Sequence, residues 1–293
     1  MTVVAMGFCT DKAAAIRPGL PVPLYLIAVC DTMLSDEKVG AIIRDSGVCK
    51  IQKAGFLGPW LIGYCGLPEF FLPFKVKMGK QLGPLAGNPD LTEDELINVL
   101  VDGYSAYREE KIVEQVLAKW HINSLAEFQE TQHTLPKLYE NLWPFVDRFD
   151  LDITLCVAGF NKTAGSQLRI IENPGTISEN LAHVNPGVVT IGSGAPHAAS
   201  HLRAWFDKSG SLKEAIYYLL EAKMVADMDV TSVGAETDVV IVEYHMIPAE
   251  PSVSSYLIRR ERIKEFRAAW EAERRNPSKS ILKLLELEPL YNF

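Results

Sequence analysis

The order in which strand-like and helix-like segments follow one another is the feature that most constrains the fold of this chain. Strand-like apolar runs occupy the chain up to Gly66, helical periodicity follows from Glu69 to Phe149, and strands and helices then return in blocks. Blocks of strands favour two stacked sheets with helices outside them over a parallel sheet built from βαβ units. The later segments are predicted as strands at 152–160, 167–172, 187–191 and 238–245, and as helices at about 196–206 and 211–226.

The first part of the chain predicts a hairpin followed by a second strand pair. Its four runs rich in β-branched and apolar residues are 2–8, 24–30, 48–53 and 59–65. Antiparallel pairing of the first two runs about a midpoint near residue 16 puts Thr2 close to Asp31. We expect all four runs to belong to one sheet.

The middle of the chain predicts a helical layer. Thr92 followed by Glu95 is a capping box, and apolar residues recur near helical spacing after it. A short helix is predicted at Ser124 to Gln132, and Pro136 and Pro144 are expected to break the segments around it.

The last part of the chain differs in pattern from the rest. Ile263, Phe266 and Trp270 recur at helical spacing among many charged residues, which is typical of an amphipathic helix. This helix either folds back on its own domain or docks on a neighbouring subunit. We therefore divide the chain into a domain at 1–248, with a helical insertion at about 69–149, and a helical extension at 249–293. More apolar residues follow the helix: Ile281, Leu282, Leu284, Leu285 and Leu287.

Charge and cysteine content exclude several classes of function. Lys and Arg number 29 and Asp and Glu 37, so the net charge is −8, which argues against binding to nucleic acid or an anionic membrane. No basic segment precedes an apolar run at the N-terminus, and no long apolar run predicts a membrane span. The five cysteines include no C-x-x-C pair, which indicates neither a disulfide framework nor a zinc knuckle. A cytoplasmic location fits this composition.

Thr2 follows the initiator Met1 and is small enough to allow removal of that methionine. The exposed threonine would carry a hydroxyl next to a free α-amino group. An α-amino group has a pKa of about 7.7 to 8, so it can accept the hydroxyl proton near neutral pH without a histidine. Thr2 is therefore a complete minimal nucleophile.

A set of short motifs accompanies Thr2 in a fixed order. They are Ala28-Val29-Cys30-Asp31, Cys49-Lys50-Ile51, Gly63-Tyr64-Cys65-Gly66, Gly192-Ser193-Gly194 and Asp229-Val230-Thr231-Ser232-Val233-Gly234. In these motifs, from about Thr2 to His245, the chain resembles proteasome β-type subunits and their bacterial proteasome-like relatives, which are N-terminal-nucleophile hydrolases. The resemblance implies an α+β fold, a four-layer αββα sandwich, and a threonine-dependent peptidase or amidase.

The resemblance also implies a role for each site residue. Thr2 matches the nucleophile, Asp31 the acid at the end of the second strand, and Lys50 the lysine that lowers the pKa of the threonine hydroxyl and amine. Gly66 matches the glycine whose N–H faces the oxyanion. The residues that match those around the terminal amine are Ser193, Asp229 and Ser232.

Three positions depart from the family pattern. Val3 follows Thr2 where the family often has a small or hydroxylated residue, and Val233 replaces a common glycine. The family also often has an Arg soon after its strand-end acid, whereas here Thr32-Met33-Leu34 follows Asp31. These departures bear on substrate binding and pocket shape more than on the nucleophile. Two alternatives remain open: a catalytically silent subunit that builds a ring or binds peptide, and a small-molecule amidohydrolase on the same fold.

The resemblance implies a peptide or protein substrate, no cofactor, and assembly into a homo-oligomer, either a ring or a helical particle. Whether an ATPase is a partner stays open. His197 and His201 stand at the i, i+4 spacing that can ligate a metal, but the further ligands of a zinc protease motif are absent from the sequence around them. We therefore predict no metal site.

Overall fold

A computed structural model gives the arrangement of most of the chain. It describes residues 3–10, 24–31, 33–36, 41–45, 57, 59–88, 91–161, 165–184, 186–229, 233, 236–245, 252–273 and 288–289. The strands are β1 (Val4–Thr10), β2 (Leu24–Asp31), β3 (Met33–Asp36), β4 (Ala41–Asp45), β5 (Trp60–Gly66), β6 (Ile153–Asn161), β7 (Gly165–Glu172), β8 (Thr176–Ile177), β9 (Val188–Ile191), β10 (Thr237–His245), β11 (Ser252–Ile258) and β12 (Glu288–Pro289). The α-helices are α1 (Pro68–Leu82), α2 (Glu93–Ile112), α3 (Leu125–Thr134), α4 (Pro136–Asp147), α5 (Ala195–Trp205), α6 (Leu212–Asp229) and α7 (Arg260–Glu273).

The larger sheet has six strands in the order β12-β11-β10-β2-β1-β9. Its first hairpin is the one that the sequence predicts, and Val4 pairs with Cys30 in antiparallel register. Val3 therefore lies beside Asp31, and Thr2 lies outside the described residues. β1 lies between β2 and β9, so its N-terminal end is flanked by the ends of two other strands.

The smaller main sheet has the order β5-β6-β7-β8 and is also antiparallel. β5 pairs with β6, with Gly63 opposite Cys156, and not with a strand of the first hairpin. The expectation that the early strands form a single sheet is therefore wrong. The predicted strand at 48–53 lies outside the described residues. β3 and β4 form a separate two-stranded sheet.

The two main sheets share an apolar core because side chains on a strand alternate between its faces. Val4, Met6 and neighbouring residues of the six-stranded sheet pack against Leu61, Cys65 and neighbouring residues of the four-stranded sheet. At Gly63 an added Cβ would lie 2.7 Å from Met6 Cε and 2.8 Å from Val4 Cγ1. The absence of a side chain at Gly63 therefore lets the sheets approach closely.

Each sheet also carries helices on the face turned away from this core. Side chains of β1, β2 and β10 pack against α5, α6 and α7 in one apolar cluster. Side chains of β5, β6 and β7 pack against α1 and α2 in another. The expectation of two antiparallel sheets combined with helices is confirmed by this arrangement.

The helical segment between β5 and β6 begins as predicted. Thr92 and Glu95 form a reciprocal capping box at the start of α2, and Ser124 caps α3. Pro136 begins α4, where its missing N–H breaks no helical hydrogen bond, and Pro144 lies in the last turn of that helix. The prediction that Pro144 interrupts the helix is thus wrong, since α4 continues to Asp147.

The last part of the chain folds back on the rest. β11 pairs with β10 along its whole length and extends the six-stranded sheet. On α7, Ile263, Phe266 and Trp270 are buried in the same cluster as α5 and α6. Of the two alternatives for this helix, docking on a neighbouring subunit is wrong for these three residues, because their own chain covers them. Among the described helices, none is long and apolar enough to cross a bilayer.

Candidate active site

The predicted site residues are not all within the described part of the chain. Thr2, Lys50 and Ser232 lie outside it, and Asp229 is the last residue of α6, with no side chain described. The remaining three are Asp31, Gly66 and Ser193, which come from β2, β5 and the turn after β9. The geometry of the site therefore depends on these three and on their neighbours.

Asp31 ends β2 and is fully buried, with 0% of its surface exposed. Its Oδ1 accepts a hydrogen bond of 3.1 Å from the backbone N–H of Val3, and its own N–H donates to the carbonyl of Val3 at 3.3 Å. A buried carboxylate is costly unless it is hydrogen-bonded or paired with a cation. Asp31 thus binds the residue that directly follows the predicted nucleophile.

Gly66 lies at the end of β5 with φ of +148°, a backbone conformation that L side chains rarely adopt. An added Cβ would also collide with the carbonyl oxygen of Asp152, the residue before β6. Glycine at position 66 is therefore required by the backbone, independently of any role in catalysis.

The Gly192-Ser193-Gly194 turn connects β9 to α5. Continuing the β1–β9 register by one residue sets Gly192 opposite Val3, on the side away from Asp31. An added Cβ at Gly194 would lie 2.8 Å from Cγ2 of Val233 and 3.2 Å from Cβ of Val3. Val233, one of the departures from the family pattern, thus packs directly against this turn.

A cavity of about 480 Å³ opens between the ends of the two sheets. Gly66 from one sheet and Ser193 from the turn after the other both line it. The cavity therefore brings together two residues that are distant in sequence. Its lining residues are Cys65, Gly66, Leu67, Asp150, Asp152, Ile153, Thr154, Glu172, Asn173, Gly192 and Ser193.

The helical layer of the smaller sheet supports the wall of this cavity. The buried Tyr104 hydroxyl donates to the carbonyl of Ile153 at 3.0 Å, and burial raises the pKa of that hydroxyl. Arg108 Nε donates to the carbonyl of Phe149 and to Oδ1 of Asn173, both at 3.1 Å. α2 thus holds both segments that bring acidic residues to the cavity.

Sequence reasoning missed Lys223, which is fully buried on α6 at 0% exposure. Its Nζ lies 3.6 Å from Oδ2 of Asp227, one helical turn later. Desolvation by burial holds the pKa of Lys223 below its usual value, while the Asp227 and Asp31 carboxylates act in the opposite direction. The available signal was the spacing, because Lys223 occurs at i+4 from Leu219 and i−3 from Ala226, on the apolar side of its helix.

His201, one of the two histidines at metal-ligand spacing, has a different partner. Its Nε2 lies 2.9 Å from Oε2 of Glu221, and the indole N–H of Trp270 donates to Oε1 of Glu221 at 2.8 Å. Burial acts to raise the pKa of Glu221, but the hydrogen bonds from His201 and Trp270 outweigh it and lower that pKa. Glu221 thus links α5, α6 and α7. Among the described residues no group of three or more His, Cys, Asp or Glu side chains could hold a metal ion.

Similarity to known proteins is found among solved structures. No family model matches the chain, and no curated protein matches it. Among solved structures, the chain is similar to the one described as the crystal structure of eukaryotic HslV from Trypanosoma brucei. The match has a TM-score of 0.46 and 15% sequence identity, and it covers 82% of this chain and 98% of that chain.

Proposed function

We propose that this protein is a proteasome-like N-terminal-nucleophile hydrolase that cleaves amide bonds of peptides with Thr2 as its nucleophile, after removal of Met1. The observation that carries the proposal is the contact between Asp31 and Val3. A fully buried carboxylate at the end of β2 accepts the N–H of the residue that follows Thr2. A carboxylate in that position can orient the start of the chain and stabilise a cation beside it.

The packing of the chain supports the fold part of this proposal. The clusters described above run from the helices α5, α6 and α7, through the two sheets, to the helices α1 and α2. This succession supports the αββα sandwich that the sequence motifs imply. We further propose that the subunits assemble into a homo-oligomer. Light scattering at micromolar protein concentration tests this proposal, and a monomer under those conditions would contradict it.

The proposed reaction is acyl transfer through an ester. Thr2 Oγ attacks the amide carbonyl, the α-amino group of Thr2 takes the hydroxyl proton and delivers it to the leaving amine, and water then hydrolyses the ester. Lys50 lowers the pKa of the attacking group, and Asp31 keeps a neighbouring ammonium charged. The backbone N–H of Gly66 donates to the oxyanion, a contact that is worth about 2.7 to 4 kcal/mol in other hydrolases.

The remaining motif residues act on the terminal amine in this proposal. Ser193, Asp229 and Ser232 form a polar network that orients the amine and relays its proton. The position of Ser193 supports a role near the terminal amine, because Ser193 lines the same cavity as Gly66, at the end of the sheets where Val3 lies. The cavity volume of about 480 Å³ is in the range of ligand pockets, so it can accept part of a peptide.

Intact-mass analysis before and after treatment with a β-lactone or an epoxyketone tests the proposal. We expect the untreated protein to lack Met1 and the treated protein to gain the mass of one probe. Thr2→Ala should abolish the mass gain without changing the circular dichroism spectrum. Asp31→Asn should slow the mass gain strongly, because it keeps the shape of the side chain and removes its charge.

Two results would contradict the proposal. The first is a protein that retains Met1 on every chain and yet hydrolyses peptides. In such a protein the nitrogen of Thr2 is part of a peptide bond and has no useful basicity. The second is a correctly processed, folded protein that never reacts with either probe and never cleaves a peptide, which favours a silent subunit. Turnover of small amides without turnover of peptides would move the assignment to a small-molecule amidohydrolase.

A further inference from the structure

The buried lysine on α6 belongs to a chain of alternating charges that reaches from the last helix to the candidate site. Arg267 on α7 donates to Oδ2 of Asp227, and the same oxygen lies 3.6 Å from Nζ of Lys223. Lys223 lies one helical turn before Ala226, on the face of α6 that packs beside Val3, since an added Cβ at Gly194 would lie 3.2 Å from the Cβ atoms of both Ala226 and Val3. Val3 is the residue that Asp31 binds, and the Asp31 carboxylate acts electrostatically on Lys223. The alternation of cation and carboxylate makes each of these buried charges easier to maintain.

The surroundings of Lys223 are otherwise apolar. Next to it on α6, Ala222 and Met224 are fully buried in the cluster that α6 shares with β1 and β2. A lysine is almost never fully buried unless it is paired, and an apolar residue of similar volume is often tolerated as well or better at such a position. A packing role therefore does not explain why this position carries an ammonium group.

The groups that face Lys223 come from three elements. Asp227 lies on its own helix, Asp31 and Cys30 lie on β2, and Arg267 lies on α7. Asp227 is already paired with Arg267, so Lys223 is shared between that pair and Asp31. Asp31 is the member of this group that also bonds to Val3.

We propose that Lys223 is a positioning residue for the hydrolase reaction, which holds the Asp31 carboxylate in place next to the start of the chain. The inference rests on the proposed function. α7 takes part through Arg267, which binds Asp227 and so leaves Lys223 available to Asp31. The last helix of the chain therefore contributes to the geometry of the site without touching the substrate.

The sharpest test is the double variant Lys223→Met/Asp227→Asn, which removes one buried cation and one buried anion together and so avoids leaving Asp227 without Lys223. Lys213→Met is the matched control, because Lys213 lies on the same helix and is exposed. The readout is the rate at which Thr2 gains a β-lactone adduct, followed by intact mass over the pH range around an α-amino pKa of about 7.7 to 8. Circular dichroism establishes that each variant is folded.

We expect the double variant to react about tenfold more slowly near neutral pH, with the midpoint of its pH–rate profile about one unit higher. In the chain of charges Lys223 stands between Asp227 and Asp31, so the lost cation acts on the terminal amine more strongly than the lost anion does. Its removal makes the protonated amine more favourable, so a higher pH is needed to free the base. Lys213→Met should match the wild-type rate and midpoint. A purely structural role for Lys223 would leave the midpoint unchanged.

The possible outcomes separate this inference from the proposed function. A folded double variant with the wild-type rate and midpoint overturns the role of Lys223 while Thr2 remains the nucleophile. A wild-type protein that lacks Met1 and does not react overturns the proposed function and this inference with it. If the double variant does not fold, Arg267→Gln decides: a midpoint shift in the same direction supports the inference, and an unchanged profile overturns it.

Discussion

The two helical layers of this molecule differ in the kinds of side chain that they contain. The layer over the smaller sheet, formed by α1 and α2, is aromatic: Phe74 packs edge-on against Tyr104 and at a tilt against Tyr107, with ring centroids 5.8 Å and 5.4 Å apart. The polar ends of these tyrosines bond to backbone carbonyls of Ile153 and Phe70. We call this the aromatic layer.

The layer over the larger sheet, formed by α5, α6 and α7, contains buried and partly buried charges, and we call it the charged layer. Glu221 bonds to His201 and Trp270, and Lys223 lies next to Asp227. Aromatic packing contributes stability, whereas buried charges are costly and survive where they are paired or have a function. The charged layer is the one that covers the strands of Val3 and Asp31, which is where function has been proposed.

The largest effect on stability should come from Phe74→Ala in the aromatic layer. Phe74 is fully buried, so its loss removes two ring contacts and leaves a cavity, and we expect the free energy of unfolding to fall by about 3 to 5 kcal/mol. Urea denaturation followed by circular dichroism measures it. Phe145→Ala, at a site where the ring is 65% exposed, is the control and should change stability by less than about 0.5 kcal/mol. Equal losses for the two variants would contradict the packing described here.

A smaller effect, dependent on pH, should come from Glu221→Gln in the charged layer. Because the folded state lowers the pKa of Glu221, its carboxylate contributes stability above its usual pKa of 4.5, and that contribution is lost as pH falls through the folded pKa. We expect the variant to lose about 1 to 2 kcal/mol at neutral pH, since a charged hydrogen-bond acceptor becomes neutral. The difference between the two proteins should shrink in acid, as thermal unfolding across pH would show. A difference that stays constant down to acid pH would refute this.

The smallest effect should come from Thr92→Ala at the start of α2 in the aromatic layer. The change removes the side-chain oxygen that accepts the N–H of Glu95, and loss of such a cap costs about 1 kcal/mol. Urea denaturation measures the loss, which should not depend on pH near neutrality. Thr92→Ser keeps the oxygen and should restore most of the stability. If the serine variant were as unstable as the alanine variant, the cap would not be the cause.

Local signals explain which parts of the fold were predictable. The hairpin of β1 and β2, the capping box at Thr92 and the cap at Ser124 depend on neighbouring residues, so the sequence carries them directly. The strand that pairs with β5 could not be predicted in this way. Gly63 of β5 pairs with Cys156 of β6, on the far side of the helical segment in sequence, and no local pattern indicates that pairing. β11 was included in a predicted helical extension because its serines weaken the strand pattern.

The candidate site was predictable to the extent that its residues stand at strand ends. Asp31, Gly66 and Ser193 were singled out by short motifs, and two of them line one cavity. Lys223 was not singled out, because a single lysine on a helix is normally solvated. The charges of Asp31 and Arg267, which are distant in sequence, act on it only after the chain has folded. Buried charge is a tertiary property, which composition and periodicity do not report.

The pairing of β11 with β10 also protects the protein from aggregation through an open sheet edge. β11 covers β10, and β12 pairs with two residues on the other side of β11. A strand left at the edge of a sheet presents unpaired N–H and C=O groups that can pair with another molecule. A chain cut before Ser252 would open the β10 edge and uncover the apolar side chains beneath α7, and aggregation in solution is the expected consequence.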